Sequence, residues 1–216
     1  MEYINQLYDQ FNIALDQYDR EAALSIIMDA LEGQVLEISE LYELILAPSL
    51  NKIASNNMEQ VVPIWDEHIK TNIVRTILEN VYQYIVKHKT TIHRKAMVLC
   101  LEEEHHDLGA RMTADYLTLM GFFVYYIGAN TPQKVAIDAI KNLEPDVVCI
   151  SVTNYYHLTK LQKMILQLKD ETLKKTPKLV IGGYAVHHTS NVKDLVHADY
   201  YLTTFKELQT VKEDVL

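Results

Sequence analysis

The run from Glu102 to Gly109 reads Glu-Glu-Glu-His-His-Asp-Leu-Gly and holds the residue types that metal chemistry needs. An imidazole such as that of His106 can ligate a metal through one ring nitrogen. A carboxylate two residues earlier, Glu104, can take the proton of the other nitrogen, which fixes the tautomer and strengthens the ligand. Gly109 has no Cβ, so a bulky group can approach its backbone closely. Two plainer readings stay open on composition alone. The acidic run can be a solvated loop. A zinc site is the second option, although neither a Cys pair nor an HExxH spacing supports it.

The surrounding elements decide where such a run would sit. Ala96–Leu101 is a short apolar stretch suited to a buried strand, and a helical stretch, Gly109–Met120, follows it. Phe122–Ile127, Val147–Val152, Leu179–Ile181 and Tyr200–Leu202 are also strand-like, while Gln133–Ile140, Leu158–Leu168 and Thr204–Val211 are helical. Strands alternating with helices imply βαβ units and a parallel sheet. Ligands in such sheets sit outside the C-terminal ends of the strands, which is where Glu102–Gly109 falls. The earlier half is helical throughout. Tyr3–Asp16 has apolar residues at helical spacing, Asp19 can cap a second helix ending at Gly33, and Val35–Leu46 continues the pattern. Pro48 suits the first turn of a short helix, Ser55-Asn56-Asn57 breaks the chain, and a long helix runs from about Pro63 to Val86. The expected fold is α/β with an N-terminal all-α domain. A four- to five-helix bundle spans residues 1–88, and a flavodoxin-like (Rossmann-like) parallel sheet spans 95–216.

Composition narrows the function classes. Of 216 residues, 49% are apolar and 23% charged, as in an ordinary folded domain. A net charge of −9 supplies no basic face for a phosphate backbone, and the one basic cluster, Lys87–Lys95, reads as a linker. Direct binding of nucleic acid is not expected. No apolar stretch reaches the ~18 residues a membrane span needs, and the polar Met1–Phe11 segment is not a secretory signal. Cys100 and Cys149 lie in apolar runs and read as buried thiols, so a reducing cytoplasm is the expected setting.

Glu104-x-His106-x-x-Gly109 resembles the Asp/Glu-x-His-x-x-Gly motif of cobalamin-binding domains. Ser151-Val152-Thr153, at the end of the third strand, is similar to that family's Ser-x-Leu/Thr element, and Gly182-Gly183, at the end of the fourth, to its Gly-Gly element. The resemblance implies a cobalamin cofactor whose own base is displaced by His106, which then coordinates cobalt from below. Glu104 would stand behind His106, with Asp107 and Leu108 beside it against the cofactor. It implies further that the displaced nucleotide tail enters a slot between strands. Ser151 would offer a hydroxyl there, Val152 and Thr153 would flank it, and Gly182 and Gly183 would leave room. The plainer readings are a strand-end hydroxyl and a tight turn. In the helical half, Glu67-His68 resembles the Glu-His helix of cobalamin-binding caps, which faces the upper side of the corrin. The plainer reading is a helix-surface Glu beside a partly buried His. Trp65, the single tryptophan, is either bundle core or an aromatic lid on the corrin.

Two branches of the family compete. Corrinoid methyl carriers usually read Gly-Asp-x-His-Asp-x-Gly. Regulatory domains more often carry Glu at the first acidic position, and their second strand is similar to Tyr126-Ile127-Gly128-Ala129-Asn130-Thr131-Pro132 here. Both features favour the regulatory branch. The Trp and His of light-responsive regulators fall on Asn57 and Met58, so light sensing is not implied. The expectation is a stand-alone cobalamin-binding sensor or regulatory adaptor, not itself an enzyme, with a protein partner or a homo-oligomer. The alternative is a corrinoid methyl-carrier subunit of a methyltransferase system. The upper cobalt ligand (adenosyl, methyl or hydroxo) stays open.

Overall fold

The computed structural model describes residues 2–58 and 62–216, with residues 55–58 described by their backbone alone. The chain divides into two compact units, Met1–Lys87 and His88–Leu216.

The first unit is helical. Helix α1 spans Glu2–Asp16 and α2 spans Arg20–Glu32. The Asp19 carboxylate accepts the Ala22 N–H at 2.9 Å, satisfying one of the donors that a helix start leaves open, and Gly33 closes the other end. The next helix begins at Ile38, later than expected, because Glu37 and Glu40 form a reciprocal cap that sets its start. It then runs without a break as α3 (Ile38–Glu40), a π-helical turn (Leu41–Leu46) and α4 (Ala47–Met58). Pro48 therefore opens no separate helix. It lacks an N–H, and its ring would crowd the carbonyl four residues back. The wide turn just ahead, in which the Ala47 N–H reaches the Tyr42 carbonyl, gives that ring room. The expected break at Ser55-Asn56-Asn57 does not occur, since the helical backbone carries through to Met58. Helix α5 spans Ile64–His88. Phe11, Leu15, Ile27, Leu31, Leu41, Ile45, Ile77, Leu78 and Ile85 fill the core of this unit.

The second unit is a five-stranded, all-parallel sheet of order β2-β1-β3-β4-β5, the doubly wound, flavodoxin-like order. The strands are β1 Lys95–Leu101, β2 Phe123–Thr131, β3 Val147–Ser151, β4 Lys178–Gly182 and β5 Tyr200–Tyr201. The main helices between them are α6 Leu108–Leu119, α7 Gln133–Leu143 and α8 His157–Asp170. Single-turn helices α9 (Tyr184–His187) and α10 (Val192–Leu195) follow β4, and α11 spans Glu207–Val215. Strand β1 lies inside the sheet and is buried from Ala96 onward, as its apolar run requires. Its alternate residues Met97, Leu99 and Leu101 share one core with Ile137 and Ile140 of α7 and Leu161, Met164 and Ile165 of α8.

Strand β2 continues past Ile127 to Thr131, four residues beyond the expected end. Its register against β1 slips between Val98 and Leu99 and again between Leu99 and Leu101. Gly128 and Asn130 take up the two irregularities with φ of 95° and 51°. The stretch from Gly128 to Thr131 is therefore a bulged strand end, bent over the loop that leaves β1. No helix among the described residues is long and apolar enough to cross a membrane.

Candidate functional site

Residues 102–107 link the buried end of β1 to the start of α6. Their path is fixed from two sides. Glu103 has a left-handed backbone, φ 68°, and its N–H donates to the Asn130 side-chain oxygen at 2.9 Å, while the Asn130 N–H returns a bond to the Glu104 carbonyl at 2.9 Å. On the other side, the first turn of α8 places Lys160 in an ion pair with Glu103.

Glu104 is the centre of the arrangement. It is 1% exposed, and both carboxylate oxygens are fully engaged. Oε1 meets His106 Nδ1 at 2.6 Å and accepts the His106 N–H at 3.2 Å. Oε2 accepts the N–H groups of Thr153 at 2.9 Å and Asn154 at 3.0 Å, and meets His157 Nδ1 at 3.0 Å. Burial alone would raise the carboxyl pKa. The bonds from His106, from the Asn154 and Thr153 amides and from His157 outweigh it and hold Glu104 well below the usual carboxylate range. An ionised Glu104 accepts only, so His106 donates its Nδ1–H and carries its lone pair on Nε2. The His106 side chain is 62% exposed although its anchor is buried. An exposed ring with its tautomer fixed from behind has the form a metal ligand needs.

The other candidates divide by the work they do. The Asp107 carboxylate accepts the Tyr126 hydroxyl at 3.1 Å, and its carbonyl accepts the Arg111 N–H at 2.8 Å. Burial first, and then the neighbouring Asp107 charge, push the Tyr126 phenol well above its ordinary pKa. Leu108 and Val152 are buried and support the fold with their side chains. Thr153 contributes its amide to Glu104. Ser151 ends β3 opposite Gly182 of β4, so the second and third elements of the pattern are neighbours.

The glycines separate sharply. A Cβ on Gly183 would lie 2.6 Å from the Val152 carbonyl oxygen, and its φ is +100°, so the turn itself demands glycine. A Cβ on Gly109 would meet only Ser151 Oγ, at 3.8 Å, and one on Gly182 would sit 3.5 Å from Leu202 Cβ. Both are ordinary contacts, so the protein's own packing does not require glycine at either place. The tight-turn reading thus holds for Gly183. Gly109 and Gly182 leave room that the protein does not itself fill. A preset imidazole beside open backbone suits a cofactor that brings its own equatorial metal ligands. Among the described residues no three His, Cys, Asp or Glu side chains converge to hold a bare metal ion.

In the helical unit, Trp65 is 55% exposed and lies edge-on to Tyr18, with ring centroids 6.2 Å apart, so it is not bundle core. Glu67 is half-buried and His68 exposed in the same first turns of α5, where their carbonyls accept the Thr71 hydroxyl. The side chains of Asn57 and Met58 lie outside the described residues.

The sequence reading missed His157. Its signal was topological: in a parallel sheet with β1 beside β3, the loops that follow those strands are neighbours, so a polar residue opening α8 faces the loop after β1.

Residues 94–207, more than half of the chain, match the family model of the B12 binding domain. Over 115 residues the chain is 28% identical to trimethylamine corrinoid protein 2 of Methanosarcina acetivorans, covering 53% of this chain and 52% of that one. The chain thus spans about half the length of that relative. With trimethylamine corrinoid protein 1 of the same organism the identity is 21% over 190 residues, 87% of each chain. The monomethylamine corrinoid protein of Methanosarcina barkeri has the same fold, with a TM-score of 0.83 at 14% identity over 98% of this chain and 99% of that one. The chain belongs to the B12 binding domain family, and its cofactor is cobalamin.

Proposed function

We propose that this chain is a corrinoid methyl carrier in which His106 ligates cobalt through Nε2. The observation that carries the ligation is the 2.6 Å contact between His106 Nδ1 and the buried Glu104, on a ring that is itself 62% exposed. A carboxylate behind an imidazole fixes its tautomer and raises its basicity. When bound, cobalamin supplies a cobalt centre able to accept and release a methyl group. The protein's part is to hold that centre, to set the strength of the ligand below it and to present it to partners. We assign the chain no catalytic residue, and the chemistry of transfer falls to a partner protein.

The carrier reading takes precedence over the sensor favoured on sequence for two reasons. Relatives of this chain are corrinoid proteins named for trimethylamine and dimethylamine, which makes a methylated amine the first methyl donor to test. The two features that suggested a regulator also have local work in the loop. A Glu side chain reaches one methylene further than Asp, and here one carboxylate spans His106 and the start of α8. The Tyr126–Pro132 run supplies the Asn130 latch. Trp65, Glu67 and His68 belong to the proposal as contacts for the upper side of the cofactor. We place the carrier in the cytoplasm, where reducing conditions suit two buried free thiols, and expect no direct role on nucleic acid.

The test loads the protein with cob(II)alamin and with methylcobalamin. Wild type labelled with nitrogen-15 at its histidines retains the cofactor with an axial-nitrogen splitting that follows the label in its spin-resonance spectrum, and His106→Ala loses that labelled splitting. With a methylamine methyltransferase from the same cell, the carrier is methylated and demethylated in turnover that depends on His106. Cofactor-dependent capture of a partner with no methyl turnover would replace the carrier with the sensor.

A further inference from the structure

The two edges of the sheet are finished differently. At one, β5 is two residues long, too short to recruit another chain. At the other, β2 runs for nine residues and, among the described residues, has a strand on one side only, β1. Proteins usually guard such an edge with a charge, a proline or a bulge. Phe123–Ile127 reads Phe-Val-Tyr-Tyr-Ile, with neither charge nor proline, and the bulges come only beyond it. The ladder fixes which way its backbone groups point. The Phe123 N–H donates to the Arg94 carbonyl, so Phe123, Tyr125 and Ile127 turn their N–H and C=O groups toward β1, and Val124 and Tyr126 turn theirs outward. The side chains of Phe123, Tyr125 and Ile127 share one face of the strand. There Phe123 is 63% and Ile127 37% exposed, and the Phe123 and Tyr125 rings stand 5.1 Å apart.

We infer that this edge pairs with the same edge of a second copy of the chain, antiparallel about a two-fold axis at Tyr125. The strand complements itself in that register. Val124 of each copy lies opposite Tyr126 of the other, so the outward N–H and C=O groups of both residues are used in four hydrogen bonds. A slip one way would call on Phe122, whose N–H already donates to the Leu117 carbonyl. A slip the other way would call on Gly128, where the first bulge interrupts the strand. In the Tyr125-centred register Phe123 of each copy meets Ile127 of the other, in the non-hydrogen-bonded positions where side chains lie closest. The exposed apolar row is then covered along its whole length. The charge also suits a second copy, because the α/β unit carries equal numbers of acidic and basic side chains and two such units meet without net repulsion. The product is one sheet of two five-stranded halves with opposite strand directions, which sets the two His106 loops at opposite ends of it.

The test is sedimentation of the full chain loaded with cobalamin. The seam is short, below the ~1,200 Å² of a stable interface, so the expected dissociation constant is on the order of 50 µM. Phe123→Lys and Ile127→Glu alter exposed side chains on the row, and each should weaken the dimer at least ~10-fold, since the two-fold brings the charge in twice. Mixed in equal amounts, the two variants should recover a mixed dimer within ~3-fold of wild type, because the introduced ammonium and carboxylate then face one another. Val124→Pro removes an outward donor that β1 does not use, and should weaken the dimer without adding a charge. Circular dichroism checks that each variant is folded. Wild type that stays monomeric throughout leaves the edge to some other protein and overturns the inference. A dimer that all three variants leave intact lies elsewhere on the surface and does the same. Loss in the single variants with no recovery in the mixture overturns the Tyr125-centred pairing.

Discussion

Each unit of this chain contains a buried carboxylate at the centre of a polar network, and the two networks end differently. In the helical unit, Asp66 is 4% exposed, accepts the Tyr18 hydroxyl at 2.7 Å and pairs with Lys70 at 3.1 Å, while Lys70 also meets Asp16 at 2.8 Å. Burial disfavours the Lys70 charge, but the Asp16 and Asp66 carboxylates outweigh it and raise its pKa. The Asp66–Lys70 pair lies within α5, and the bonds to Asp16 and Tyr18 tie α5 to α1 and to the turn after it. In the α/β unit, Glu104 gathers donors from three chain segments and holds an imidazole that reaches solvent. A network that closes on its own helices stabilises the unit. A network that delivers an exposed, tautomer-fixed ring prepares a ligand.

The largest effect expected from this contrast is on stability. Lys70→Met leaves Asp66 buried without its cation. Breaking a fully buried pair costs ~3–5 kcal/mol, and the exposed Asp16 side of this network reduces the loss to about 2–4 kcal/mol. Urea unfolding followed by Trp65, the only tryptophan, reads the helical unit directly, and the axial-ligand spectrum of bound cobalamin should keep its form. A changed spectrum with unchanged unfolding would reverse the roles of the two networks.

Next in size is Glu104→Ala, which should weaken cobalamin binding by ~10–100-fold, with Glu104→Gln losing less because its carbonyl still accepts. Titration with the cofactor measures both. Equal affinity in all three proteins would reduce Glu104 to a scaffold residue like Asp66.

The glycines sharpen the contrast within the α/β unit. Gly183→Ala should destabilise the fold by ~1–3 kcal/mol through its left-handed backbone, on top of the clash with Val152. Gly109→Ala and Gly182→Ala should unfold within about 0.5 kcal/mol of wild type yet bind cobalamin more weakly. Thermal unfolding of the cofactor-free proteins, set beside cofactor titration, separates the two groups. Weakened binding in none of them would remove the open backbone from the site.

The smallest effect at neutral pH is the acid limb. The Glu104 pKa is lowered by folding, so its stabilisation is fully present above the unfolded value of ~4.3 and is lost as pH falls toward the folded one. Glu104→Gln should therefore flatten the decline in stability below about pH 5.

Much of this was legible in the amino-acid order. The apolar runs of β1 and β3 and the alternation around them imposed a parallel sheet, and Asp19 and Gly33 marked the ends of α2. The two-residue spacing of Glu104 and His106 carried their contact. The elements that escaped are those whose geometry depends on distant neighbours. The bulges of β2, beyond the expected strand end at Ile127, exist only against the register of β1. Pro48 looks like a helix start until a wide turn makes room for it. The single turns α9 and α10 have too few residues for periodicity. His157 lies 53 positions from Glu104, where no local pattern reaches.

That separation also sets a timetable. A growing chain lengthens by ~5–20 residues per second, so Glu104 is joined to the chain roughly 3–10 s before His157. Thr153 and Asn154 arrive only slightly earlier. Until β3 pairs with β1, the carboxylate has no reason to leave water and His106 has no fixed tautomer. Cofactor loading is therefore a late, post-pairing event, and nascent chains stalled before residue 150 should fail to capture cobalamin although every residue of the His106 loop is already present.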